Sequence, residues 1–181
     1  MIIAKEKRRA NIAEYVIYMW HLEDLLRACK LDIDTVQQKI IDGYQAKSQD
    51  QIEIKEWYES LIHMIRSEEI VESGHLQMVK NTVAEMTEIH QLLLKSNKEQ
   101  NYMRCFFMAK PNISMFRSKS NNPEASDIEI CLHALYTLLL MKMSGKDLSV
   151  ETMESMNTFS QLLAELSAKY KAWEEGSLDI K

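Results

Sequence analysis

Three stretches of this 181-residue chain repeat apolar residues at alternating spacings of three and four. An α-helix turns once every ~3.6 residues, so residues spaced in this way lie along one stripe of a helix. The spacing is typical of near-parallel or antiparallel helices whose side chains interlock. The stripes are Ile12, Tyr15, Met19, Leu22, Leu26 and Cys29; Leu76, Val79, Val83, Met86, His90 and Leu93; and Met156, Phe159, Leu163, Leu166, Tyr170 and Trp173. The sequence therefore predicts an all-α fold, in which residues 1–181 form a single-domain bundle of about five to seven helices.

Capping residues and helix breakers predict where the helices begin and end. Asp32 and Ser149 are residues that cap helix N-termini well, and each is enclosed by an apolar pair that can staple a helix start. The pairs are Leu31 with Val36 and Leu148 with Met153. We predict helices over about residues 5–30, 32–43, 51–71, 75–95, 124–143 and 149–176, and a further helix that ends before Pro111.

One long connection and one frayed end complete this outline. Residues 111–126 hold both prolines of the chain and have no apolar period, so they are predicted to form a mobile loop. Pro123, preceded by Asn122 as a cap, is expected at the first position of the next helix. Residues 177–181 follow Gly176 and are expected to fray.

The cysteines and the apolar runs predict a cytoplasmic protein. Cys29, Cys105 and Cys131 are far apart and form no C-x-x-C pair, so we expect reduced thiols, with Cys29 and Cys131 buried. The charged N-terminus lacks the apolar segment of a signal peptide. The longest apolar run, residues 130–143, is shorter than the ~20 residues that a membrane span needs, so no membrane association is expected.

The net charge of −5 argues against nucleic-acid binding, which depends on Lys and Arg neutralising phosphates. The basic N-terminal turn, residues 5–9, is the one segment that favours it. Glu6 interrupts that turn, and a solvated first turn is the simpler interpretation. Nucleic-acid binding is therefore a weaker alternative.

The chain resembles a known family over its whole length, most clearly in its first thirty residues. The matching segments are Met1-Ile2-Ile3-Ala4-Lys5-Glu6-Lys7-Arg8-Arg9, Asn11-Ile12-Ala13-Glu14-Tyr15 and Met19-Trp20-His21-Leu22-Glu23-Asp24. They are similar to the start of an uncharacterised bacterial family of helical proteins of about this length, described as a domain of unknown function. The resemblance implies a bacterial, one-domain, helical protein and implies no activity, cofactor or catalytic residue.

Metal ligands occur in no complete pattern. A di-iron bundle needs Glu-x-x-His on two helices and two further Glu. Glu72-Ser-Gly-His75 is the only such match and falls at a predicted helix break. Glu59 with His63 and Glu129 with His133 are four residues apart, which surface pairs explain as well as a metal does. We therefore expect no cofactor and no metal.

Three polar residues fall in apolar surroundings and are the candidate site residues. His90 takes a stripe position, where it is either a functional imidazole, a core histidine bonded to a carbonyl or to a tyrosine hydroxyl, or a residue rotated to the helix edge. His133 lies in the most apolar helix, with Glu129 one turn away as its partner. A His–carboxylate pair of this kind can be half of an acid–base site.

Two classes of function remain open at this point. Apolar residues beyond a single stripe favour a non-catalytic interaction protein that contacts another protein or a second copy of itself. They include Ile17, Tyr18, Trp20, Leu92, Leu94 and Met153. The alternative is a small-molecule or metal-dependent enzyme with His90, His133 and Glu129 in a site inside the bundle.

Overall fold

This computed structural model describes residues 2–44, 48–96, 98–120 and 122–178, and all regular secondary structure in these ranges is helical. Eight α-helices and a single 3-10 turn lie in these ranges, with no strand among them, which confirms the all-α prediction and slightly exceeds the predicted number of helices. The α-helices are α1 (Ile2–Ala10), α2 (Ile12–Ala28), α3 (Ile33–Lys39), α4 (Ser48–Ser67), α5 (Gln77–Ser96), α6 (Gln100–Lys119), α7 (Asp127–Met143) and α8 (Val150–Glu174). The 3-10 turn covers Ile41–Gly43.

Helices α7 and α8 form the centre of the bundle. They pack against each other, and each also contacts α2, α5 and α6. The high proportion of apolar residues in α7 suits this central position. At the margin, α1 packs on α2, while α3 and α4 pack on each other.

The predicted helix over residues 5–30 is wrong as one element, because the chain breaks at Asn11. The backbone of Asn11 is extended, and its Oδ1 accepts hydrogen bonds from the amides of Ala13 and Glu14 at 3.0 and 3.1 Å. The hydroxyl of Ser167 on α8 donates to the same oxygen at 2.8 Å. Asn11 therefore starts a new helix, and a contact distant in sequence holds it in place.

The two predicted N-caps are confirmed. A carboxylate oxygen of Asp32 accepts from the amide of Thr35 at 2.8 Å, and the hydroxyl of Ser149 accepts from the amide of Thr152 at 3.2 Å. Leu31 and Val36 are buried beside the first cap. The residues of the second pair, Leu148 and Met153, are only half-buried.

Replacing Ser149 by alanine is expected to lower the free energy of unfolding by about 0.5–2 kcal/mol, because an orphan amide at the start of α8 loses its acceptor. Ser160→Ala, the same change at an exposed position in the middle of α8, is the control. It is expected to leave stability unchanged or slightly raised, since alanine favours helix. Urea denaturation measures both, and an equal midpoint for wild type and Ser149→Ala would contradict the assigned cap.

The predicted loop over residues 111–126 is wrong for its first half, because α6 continues through Pro111 to Lys119. An internal proline removes one helical hydrogen bond and costs about 3 kcal/mol. Packing offsets this cost, since Ile113 is buried and the ring of Phe116 lies 5.3 Å from that of Phe159. Position 121 lies outside the described residues.

The helix predicted to start at Pro123 in fact starts four residues later. Pro123 and Glu124 form a turn, and the cap of α7 is Ser126, whose hydroxyl accepts from the amide of Glu129 at 3.1 Å. Residues 45–47, and residues 179–181 of the predicted frayed tail, lie outside the described residues.

The three cysteines are free thiols, and Cys29 and Cys131 are buried as predicted. Cys105 is half-buried on α6. Within the described ranges, no helix combines the length and the apolar character that a membrane span requires.

Candidate functional site

His90 is a core histidine hydrogen-bonded to a tyrosine hydroxyl, one of the three arrangements that the sequence left open. Its Nδ1 lies 2.6 Å from the hydroxyl oxygen of Tyr102, and both side chains are buried. The ring of Phe106 lies edge-on at 5.0 Å. Burial lowers the pKa of His90, and Asp127, with Oδ2 4.0 Å from Nε2, partly opposes this shift. The pair links α5 to α6 inside the bundle.

His133 and Glu129 do form the predicted pair on α7. Their Nε2 and Oε1 atoms are 3.9 Å apart, and the His133 side chain is half-exposed. The pKa of Glu129 is lowered, chiefly by the neighbouring imidazole of His133. His90 faces different partners within the core, so the structure brings together two of the three predicted site residues and leaves the third apart.

Two imidazole rings stack on Trp20 of α2, a residue that the sequence did not predict as part of a site. The rings of His75 and His133 stack on its indole, with centroids 4.6 and 4.5 Å away. The two imidazole centroids are 6.1 Å apart, which is too close for rings on opposite faces of the indole. Both imidazoles therefore lie side by side over one face of Trp20 in offset stacking.

Glu23, one turn after Trp20, anchors this cluster. Its side chain is 1% exposed, and Oε2 lies 2.6 Å from Nδ1 of His75. The backbone amide of Leu76, just before α5, donates to Oε1 at 3.1 Å. A buried carboxylate must be paired in this way, and the start of a helix is favourable for negative charge. Glu23 thereby ties α2 to the start of α5.

An open cleft of about 490 Å³ lies beside this cluster and is lined by residues of α2, α5 and α7 and of the segments that precede α5 and α7. Trp20, Val83 and Ala84 supply apolar lining. The charged groups on its wall are Lys80, Glu88, Glu124 and Glu129. Among the described residues, no three His, Cys, Asp or Glu side chains are placed to hold a metal ion. We call this region the Trp20 cleft.

Helix α6 presents a second candidate surface, an apolar face turned away from the bundle. Its buried residues are Tyr102, Phe106, Ala109 and Ile113. The opposite face carries five exposed residues whose spacing places them on one side of the helix: Arg104, Phe107, Met108, Pro111 and Met115. Phe107 is 59% and Met108 63% exposed. We call these five residues the α6 outer face.

Two of the four cations in the basic N-terminal turn, residues 5–9, are paired within the protein. The Arg8 guanidinium donates to Glu174 at 3.0 Å and lies within 3.5 Å of the Tyr170 hydroxyl. The Lys7 ammonium lies 3.4 Å from Glu14. Cations paired in this way are poorly available for phosphate, which weakens the nucleic-acid alternative.

The sequence profile of a family described as a domain of unknown function, DUF4924, matches residues 1–177. The chain belongs to this family. The match confirms the family resemblance over nearly the whole chain. Comparison with curated proteins and with solved structures finds no match.

The DUF4924 match covers every helix described above, and therefore both the Trp20 cleft and the α6 outer face. The α6 outer face was missed because Pro111 was taken as a helix end. The burial of Glu23 could have been predicted from the sequence. Trp20, Glu23 and Leu26 are spaced by three, so Glu23 lies on an otherwise apolar side of α2. No sequence signal predicts that His75 contacts Glu23 and Trp20, because this contact depends on how the segment between α4 and α5 runs in space.

Proposed function

We propose that this protein is a cytoplasmic helical interaction protein, and that its α6 outer face binds an amphipathic helix with acidic flanks on a partner protein. The adjacent exposed side chains of Phe107 and Met108 carry this proposal. Singly exposed apolar residues are ordinary on a soluble protein, whereas a contiguous apolar face marks an interaction site. The free thiols of all three cysteines support a reducing compartment.

The shape of the face favours a helical partner. Its residues form a stripe along the axis of α6 from Arg104 to Met115. A second helix can lie along such a stripe and place anchor residues three and four positions apart against it. Methionine side chains are flexible and adapt to a partner surface, and Met103 lies half-buried at the edge of the stripe.

The charge of α6 specifies the flanks of the partner. The charged residues of this helix are Arg104, Lys110, Arg117 and Lys119, with no acidic residue among positions 100–119. Arg117 is paired with Asp127. The remaining three cations of α6 make the electrostatic potential along the helix positive. Two copies of α6 packed on each other would bring like charges together, which is unfavourable. An acidic partner helix is therefore favoured over a second copy of this chain.

Two designed peptides test the proposal by fluorescence anisotropy. They share one leucine stripe, and one carries glutamate flanks where the other carries lysine flanks. We expect the acidic peptide to bind at least about tenfold more tightly at low salt, with the difference shrinking as salt screens the charges. The double variant Phe107→Ser/Met108→Ser should weaken binding by at least about tenfold, because anchors at the centre of an interface dominate affinity.

Met143→Ser is the matched control, since Met143 is equally exposed but lies at the end of α7. It should leave binding unchanged. Equal binding of both peptides, or no binding at ~100 µM, would overturn the proposal. So would a stable homodimer in sedimentation that is lost in Phe107→Ser/Met108→Ser, since the face would then be occupied by a second copy.

A further inference from the structure

A pocket of about 390 Å³ lies between α1, α2, α4 and α5, and it shares no lining residue with the Trp20 cleft or the α6 outer face. This volume falls within the ~300–1,000 Å³ range of ligand pockets. The innermost part of its wall consists of four buried side chains contributed by α1, α2 and α4: Ala4, Tyr15, Met19 and Leu61. We call it the α1 pocket.

The wall of the α1 pocket is apolar and adaptable. Met64 on α4 is half-buried and Met78 on α5 is exposed, and with Met19 they place three methionines in the wall. Methionine side chains are flexible and fit irregular apolar ligands. The backbone of α4 packs mainly on α3 and the 3-10 turn, which leaves a gap between α4 and α1. Such a wall suits a flexible alkyl chain.

The charged groups of the α1 pocket have one sign. Lys5 and Arg8 lie one turn apart on α1 and line the pocket, and its described lining includes no acidic residue. The chain as a whole carries a net charge of −5, so the pocket reverses the sign of the protein locally. Cations at the edge of an apolar pocket attract an anionic group to that edge.

The pairing of the two cations specifies the charge of the ligand. The Arg8 guanidinium is already bound to Glu174, at 3.0 Å. Lys5 has no hydrogen-bond or ion-pair partner in the part of the chain that the structure describes. One unpaired ammonium balances one negative charge. A monocarboxylate therefore matches the pocket better than a phosphate ester, which carries about −1.5 to −2 at neutral pH.

We propose that the α1 pocket binds a free medium-chain fatty acid. The alkyl chain lies against Met19, Leu61 and Met64, and the carboxylate pairs with the ammonium of Lys5. The apolar wall provides most of the affinity, and Lys5 provides the preference for an anion. This proposal does not depend on the partner proposed for the α6 outer face.

Four probes separate the chain from the charge. They are octanoate, 1-octanol, which lacks the charge, octylamine, which reverses it, and acetate, which lacks the chain. The readout is nuclear magnetic resonance of the methionine methyl groups in the full chain, with Met19, Met64 and Met78 assigned through single leucine variants. We expect a saturable shift with octanoate and a Kd below ~2 mM. Binding of 1-octanol and octylamine should be severalfold weaker, and acetate should cause no shift.

Charge variants of α1 locate the carboxylate. Lys5→Glu should weaken octanoate binding about tenfold, and the milder Lys5→Gln severalfold. Arg9→Glu is the matched control, because Arg9 is exposed on the same helix but does not line the pocket. At an ionic strength of ~0.15 M, where charges more than ~8 Å apart are screened, it should change the Kd by no more than about twofold.

The methyl resonances also distinguish the pocket from non-specific binding. Met108 on α6 and Met143 at the end of α7 are exposed and lie outside the α1 pocket, so their shifts should not follow the curve of Met64. Shifts of all three with one concentration dependence would overturn the proposal. So would octylamine binding as tightly as octanoate, equal effects of Lys5→Glu and Arg9→Glu, or no saturable shift with octanoate.

Discussion

Replacing Glu23 by leucine is expected to lower the free energy of unfolding by roughly 3 kcal/mol. The substitution removes the acceptor of the Leu76 amide, which is buried at the start of α5, and the partner of His75 Nδ1. Leucine fills the space but accepts no hydrogen bond, so the amide keeps its full desolvation cost. Urea denaturation measures the loss.

Glu14→Leu on the same helix is the control for this change. Glu14 is exposed, and its carboxylate is 3.4 Å from the Lys7 ammonium. Exposed pairs contribute about 0–1 kcal/mol, so the control should cost at most that amount. A loss for Glu23→Leu no larger than that of the control would show that Glu23 does not tie α2 to α5.

His90→Leu is expected to destabilise the protein by about 2 kcal/mol. The apolar stripe alone predicts a neutral or stabilising change, because leucine suits a seam position. The structure reverses this expectation, since leucine would leave the buried hydroxyl of Tyr102 without its partner at 2.6 Å. The double variant His90→Leu/Tyr102→Phe removes both polar groups and should recover most of the loss. If the stability losses of His90→Leu and Tyr102→Phe simply add in this double-mutant cycle, the pairing is contradicted.

The same pair predicts how stability depends on pH. Burial lowers the pKa of His90 below its ordinary value of 6.5, so the folded state binds a proton less readily than the unfolded state. The contribution of His90 to the free energy of unfolding is therefore fully present above about pH 6.5. It is lost as the pH falls towards the lowered pKa of His90 in the folded protein. His90→Leu/Tyr102→Phe should lose less stability between pH 7 and pH 5 than the wild type. Parallel curves for the two proteins would contradict the assignment.

Local signals determined much of the fold. The stripes of α2, α5 and α8 follow from the helical repeat, and the caps Asp32 and Ser149 act within three residues of themselves. The central place of α7 agrees with its high proportion of apolar residues. These features depend on interactions along one helix or on average burial, which periodicity reports directly.

Tertiary packing overrode local signals in two places. Pro111 breaks helices locally, yet α6 continues because Ile113 and Phe116 are packed against the bundle. Asn11 begins a helix partly because Ser167 of α8 donates to its side chain. In each case the deciding partner is a residue distant in sequence, which no local pattern includes.

The candidate sites also combine contacts along one helix, which the sequence predicts, with contacts between helices, which it does not. Sequence spacing alone placed His133 one turn from Glu129, because residues four apart on a helix are neighbours. The stacking of His75 and His133 on Trp20 joins α2, α7 and the segment before α5, and only the packing of these elements creates it. The sequence thus determined the helices and the neighbours along each one, through the 3.6-residue repeat. The tertiary structure alone decided which helix faces lie buried, which lie open on α6, and which side chains meet in the Trp20 cleft, because these depend on contacts between residues far apart in the chain.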